Sequence, residues 1–125
     1  MPVRTSTLLA AGAALAVAAS PIALAHSDRT ATSPRSGAAV KTLPGSVTVT
    51  FGEQIGRVVS VRVTRKGSST NYVRSYGLDK RNVKRVKAVL RSVGPKGTYT
   101  VRWAIVSADG HKQNGTFTFR TLRKG

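Results

Sequence analysis

Between Val47 and Phe119 the chain repeatedly alternates apolar and polar positions with a period of two, the spacing of a strand that buries one face. Val47, Val49 and Phe51 fall on one side of such a segment and Thr48 and Thr50 on the other. Val59, Val61 and Val63 alternate in the same way with Ser60, Arg62 and Thr64. Tyr99, Val101, Trp103 and Ile105 form the longest apolar face, and Phe117 and Phe119 supply a shorter one. Ser33-Pro34, Leu43-Pro44-Gly45, Lys66-Gly67-Ser68, Gly94-Pro95-Lys96-Gly97 and Asn114-Gly115 carry the residue types of turns and punctuate these runs. Asn71 to Tyr76 and Val83 to Leu90 add two more strands. The second also fits a helical period through Val83, Val86, Lys87 and Leu90, so its type stays open. The spacing predicts an all-β antiparallel sandwich of about seven strands, with Trp103 and the phenylalanines in its core.

The first 25 residues have a different character. Arg4 precedes the apolar run Leu8 to Ala19, and Ala23-Leu24-Ala25 gives the small-x-small pattern of a signal-peptidase site. The run is too short for a confident membrane span. Residues 1–25 are therefore expected to be a signal peptide and residues 26–125 one small domain, with His26 at the new amino terminus. An uncleaved anchor or a different cut is the alternative, although Pro21 disfavours a cut after Ser20.

No cysteine is present, so an exported chain must hold itself together by burial or by a ligand. Lys and Arg number 21 against four acidic residues, a formal charge of +17 that attracts polyanions. The basic residues are scattered from Arg29 to Lys124 without interleaved aromatics, which argues against nucleic acid. Anionic envelope surfaces or a simply solvated face fit the export signal better.

The candidate chemistry rests on the two histidines. At a free amino terminus His26 offers an α-amine and an imidazole on one residue, a bidentate nitrogen donor. Together with the imidazole of His111 and the carboxylate of Asp109, three nitrogens and one oxygen suit a tetragonal Cu(II) ion. Asp109 and His111 stand two apart at the end of a strand, so their side chains can share a side while Gly110 allows a tight bend. The same tripeptide also reads as a hairpin corner in which Asp109 bonds its own backbone and His111 faces water. No Ser-His-Asp set and no Gly-rich phosphate loop is present, so hydrolase and nucleotide chemistry have no foothold.

A set of residues spread over the chain resembles the CopC family of exported copper-binding and copper-resistance proteins. These are His26 directly after the leader, Ser33-Pro34 with Gly37, Pro44 before Val47 to Phe51, and Glu53. The likeness continues with Gly97-Thr98-Tyr99 leading into Val101 and Trp103, the block Val106-Ser107-Ala108-Asp109-Gly110-His111, and Gly115 before Phe117 and Phe119. The resemblance implies a small Greek-key sandwich of the Ig-like or cupredoxin-like kind. It also implies Cu(II) held by His26, Asp109 and His111 in a periplasmic or otherwise extracytoplasmic binding protein, not an enzyme, with a CopD-like membrane copper transporter as a partner. Glu53 matches an acidic position beside the site, where it would orient a ligand or water, a plain surface role being the alternative.

The chain departs from the family in three ways. Its one methionine, Met1, leaves with the leader, so a thioether Cu(I) site is excluded by composition. Arg29 stands where an apolar residue is usual, and Lys112 where proline is common. Two other classes remain to be weighed: a copper-dependent oxidative enzyme, because lytic polysaccharide monooxygenases also grip copper with an N-terminal histidine, and a metal-free adhesion sandwich that binds polyanions.

Overall fold

The computed structural model describes residues 29–125; the expected signal peptide and His26 lie outside the described residues. Eight strands follow one another: β1 (Arg29–Ser33), β2 (Ala39–Val40), β3 (Ser46–Phe51), β4 (Ile55–Arg65), β5 (Val73–Asp79), β6 (Asn82–Leu90), β7 (Gly97–Ser107) and β8 (Lys112–Thr121). They form two four-stranded sheets, ordered β1-β3-β6-β5 and β2-β8-β7-β4. The non-sequential neighbours β3/β6 and β4/β7 are the crossovers of a Greek-key sandwich. All pairings are antiparallel except β2 with β8, a two-residue parallel contact of Ala39 and Val40 with Arg120 and Thr121. Neither β1 nor β2 has an apolar alternation of its own, which is why the sequence pattern did not announce them.

The predicted faces pack as expected. Val47, Val49 and Phe51 of one sheet meet Tyr99, Val101, Trp103 and Ile105 of the other, and Phe117 and Phe119 are buried with them. Residues 82–90 are strand, not helix. Ladders to β3 on one side and β5 on the other satisfy the backbone of β6, and burial of Val86, Ala88 and Leu90 at a period of two outweighs the helical coincidence. Tyr99 is fully buried, and its hydroxyl donates to the Pro95 carbonyl at 2.5 Å, tying the 91–96 loop to the core. Burial pushes that phenol above its ordinary value, in keeping with a permanent donor.

Two expectations are corrected. Val59 does not share the buried face of Val61 and Val63, because a register shift between Val58 and Ser60 turns it outward and leaves Val58 packed against the core. The freed Val59 carbonyl accepts the Tyr76 hydroxyl at 2.9 Å, closing the seam between the edge strands β4 and β5. Asn114-Gly115 is not a turn either, since both residues lie within β8. Gly115 pairs with Trp103, whose indole lies on it so closely that a Cβ there would sit 2.6 Å from Cζ2. The glycine makes room for the tryptophan.

Three elements gather at one end of the sandwich. The 52–54 loop carries the chain from β3 to β4, and Ile55 at the start of β4 pairs with Ser107 at the end of β7. The turn from Ser107 to His111 joins β7 to β8 beside it. Since β1 runs antiparallel to β3 with Arg29 opposite Phe51, the described chain also begins there.

Candidate metal centre

Ser107 closes the inward face of β7, and the chain must reverse within the next four residues. Gly110 accomplishes this at φ +93°, a conformation costly for any residue with a Cβ. The corner is locked by Ser107 N–H to the His111 carbonyl at 2.9 Å and Gly110 N–H to the Ser107 carbonyl at 2.9 Å. Ala108 N–H donates to the Gln54 carbonyl at 2.9 Å, which binds the turn to the end of the β3–β4 loop, where the chain enters β4. A Cβ on Gly56 would stand 3.0 Å from the Ser107 carbonyl, so this part of β4 also presses on the turn. Asp109 and His111 thus project from a turn held by its own hydrogen bonds and by the start of β4 beside it.

The two side chains meet. His111 Nδ1 lies 3.0 Å from Asp109 Oδ2, with both side chains about half exposed. Asp109 Oδ1 accepts the Ser107 hydroxyl and, at 3.2 Å, the His111 backbone N–H. The Ser107 hydroxyl, followed by the two His111 groups, holds the Asp109 carboxyl well below the usual carboxylate range. Its charge is therefore fixed at any working pH. The hairpin-corner features are present, for Asp109 bonds the His111 backbone as such a corner requires, and the same turn sets its carboxylate against the His111 imidazole.

Glu53 stands apart from this pair. Its Oε1 accepts from Gln113 Nε2 at a long 3.5 Å, linking the β3–β4 loop to the start of β8. Among the described residues, no group of three or more His, Cys, Asp or Glu is placed to hold a metal. Asp109 and His111 are two donors of a set that needs more, and the remaining expected ligand, His26, lies outside the described residues.

Gln54 and Gln113 were not singled out in the sequence, and Ser107 was named there only within the Val106–His111 block. Ser107 announces itself only by parity, as a polar residue at the fifth inward position of the β7 face. Gln54 acts through its backbone, which no sequence motif records. Gln113 has the same parity on β8, but its role depends on a loop sixty residues away. Arg29, the departure from the usual apolar residue, lies along β8: its Nη1 donates to the Thr116 carbonyl at 3.0 Å and its guanidinium sits 5.8 Å from the Phe117 ring centroid. A long cationic side chain here anchors the start of the described chain.

Comparisons with known proteins place the chain by family and fold. Protein YobA of Escherichia coli K12 is 30% identical over 100 residues, which span 79% of this chain and 81% of that protein. The crystal structure of selenomethionine PcoC, a copper resistance protein from Escherichia coli, superposes with a TM-score of 0.64 at 24% identity over 75% of this chain and 98% of that one. CopC from Methylosinus trichosporium OB3b gives 0.66 at 18% identity over 77% and 93%. The CopC domain model matches residues 29–121, from the first strand to the last and through the Asp109–His111 corner, and the chain belongs to the CopC family.

Proposed function

We propose that the protein binds one Cu(II) ion outside the cytoplasm through the amine and ring of His26, the carboxylate of Asp109 and the imidazole of His111. Family membership makes it a binding protein and not an enzyme. The observation that carries the copper site is the convergence at one end of the sandwich of the Asp109–His111 pair and the start of β1. Only two residues separate Arg29 from His26 in the chain. Fully extended backbone covers about 3.3–3.6 Å per residue, so the histidine has a reach of about 10 Å from Arg29. The donor set fits the ion: nitrogens and a fixed anionic oxygen suit Cu(II), and Cu(II) heads the divalent affinity order.

The Asp109–His111 pairing limits how the ion is held. Either the carboxylate leaves Nδ1 and joins the ring on the metal, or it stays on Nδ1 and orients the ring to bind through Nε2. Substituting Asp109→Asn separates the two, because an amide still accepts a hydrogen bond but is a poor copper ligand. Bound copper would close residue 26 onto residues 109 and 111 and stabilise the folded state through linkage. Its role is sequestration, resistance, or transfer to a CopD-like membrane transporter. Residues 1–25 are the signal peptide in this proposal, and cleavage after Ala25 creates the chelating amine.

The test uses protein that begins at His26, confirmed by amino-terminal sequencing, titrated with Cu(II) and followed by electron paramagnetic resonance. One equivalent with nitrogen-rich tetragonal parameters is expected. A single glycine placed before His26 should abolish the amine–imidazole chelate and weaken binding by at least tenfold. Unchanged spectra and affinity in that extended protein would overturn the proposed ligand set.

A further inference from the structure

One hairpin concentrates basic residues that lie close together in the sequence. Arg74, Lys80, Arg81, Lys84, Arg85, Lys87 and Arg91 all belong to the β5–β6 hairpin or its immediate flanks, and one acidic residue, Asp79, stands among them. On the outer face of the hairpin Lys87 is opposite Gly77 across one ladder and Thr48 across the other, and Val89 is opposite Ser75. A Cβ on Gly77 would meet nothing within 4 Å, so the sheet is hollow there. The result is an open groove of about 720 Å³ whose basic lining is Lys80, Arg81, Arg85 and Lys87.

Asp79 does not neutralise this lining. Its Oδ2 lies 3.5 Å from Arg85 Nη1, and its Oδ1 accepts the Arg81 backbone N–H at 2.9 Å. Arg85 is further tied by Nε to the Thr50 hydroxyl at 3.1 Å. One cation and one anion thus pair within the wall, and the exposed side chains of Lys80, Arg81 and Lys87 keep three positive charges beside Ser75, Gly77 and Val89.

We propose that this groove binds a linear polyanion whose repeating charge is phosphate. Three cations along a trough match a thin chain of regularly spaced anions, and Arg with Lys is the pairing suited to phosphate oxygens. Stacked bases are not accommodated, because Tyr76 is the one aromatic residue at the groove and its hydroxyl is bonded away to Val59 in the other sheet. The proposal does not depend on copper, since neither Asp109 nor His111 lines the groove.

The experiment measures fluorescence anisotropy of end-labelled long-chain inorganic polyphosphate as the folded protein is added at several salt concentrations. Replacing Lys80, Arg81 and Lys87 by Glu is compared with replacing Arg62, Arg102 and Arg120 by Glu in the other sheet, so that net charge changes equally. The groove variant should weaken binding at least tenfold and flatten the logarithmic salt dependence by about 2, or about 0.7 per lost contact. The control should lose less than threefold. Equal losses would reduce the effect to net charge and overturn the site. Tighter binding of single-stranded DNA, or of phosphatidylglycerol vesicles, than of polyphosphate would overturn the class of ligand. If the triple variant fails to fold, Lys87→Gln alone should still lower the slope by about 0.7, and an unchanged slope refutes the proposal. His111→Ala should leave polyphosphate binding intact, so failure of the copper site and failure of the groove are told apart.

Discussion

Replacing Gly115 by alanine tests the packing that supports the β7–β8 hairpin, which carries Asp109 and His111. The added Cβ would stand 2.6 Å from Trp103 Cζ2 and 3.1 Å from Cε2, where ordinary contact is 3.4–4 Å. The indole would have to retreat by roughly 1 Å into a well-packed core. It has little room to do so: Trp103 is 5% exposed and meets Phe51 edge to face at 4.9 Å between centroids. Overpacking of this kind costs about 1–3 kcal/mol. For a domain of about 100 residues each kcal/mol lowers Tm by about 4–8 °C, so Gly115→Ala should melt about 5–20 °C below the parent. Thermal unfolding followed by circular dichroism and by the fluorescence of the single tryptophan measures this directly. Because the penalty comes from the six-membered ring of the indole, it should shrink in a Trp103→Phe background, giving a coupling that a double-mutant cycle resolves. Gly77→Ala is the control, with open space around its added Cβ, and should be neutral or slightly stabilising. If Gly115→Ala cost less than about 0.5 kcal/mol, or cost as much without the indole, the account of this glycine as a space-maker would be wrong.

Other outcomes follow from the same geometry. Copper should be released as pH falls from 7 toward 5, because free imidazole and α-amine groups take protons with reference values of about 6.5 and 8, whereas Asp109, held low by Ser107 and His111, stays ionised. Competition with a chromophoric chelator across that range checks this, and release only below about pH 4 would instead assign the controlling proton to a carboxylate. Asp79 is held below its ordinary value of 3.8, first by the Arg81 backbone N–H, so its contribution to stability is complete above that pH and is lost as pH falls through its lowered value. The Tm difference between the parent and Asp79→Asn should therefore be positive at neutral pH and close as the pH falls through that lowered value. A difference that grew on acidification would contradict the assignment.

Much of this protein was legible in the chain. Period-two alternation marked Val47 to Phe51, Val59 to Val63, Tyr99 to Ile105, and Phe117 with Phe119 as buried faces, and the apolar residues of all of them except Val59 are buried. A side chain's burial in a strand depends on parity, and parity is local. Asp109, Gly110 and His111 stood out for a similar reason, since a corner of this kind is written in adjacent residues.

Tertiary structure decided what depends on distant partners. Whether 82–90 was helix or strand turned on ladders from β3 and β5. Whether Gly115 marked a turn turned on where the Trp103 ring lies, twelve residues upstream. The bulge that turns Val59 outward has no signature in a run of valines, and the cationic trough exists because pairing sets Lys87 against Gly77 instead of an acid. The chemistry of the donors is a property of single residues, so the sequence alone names them. Their meeting requires β1, the 52–54 loop and the β7–β8 turn to finish at one end of the sandwich, and that is set by strand order and register, which only the packed fold specifies.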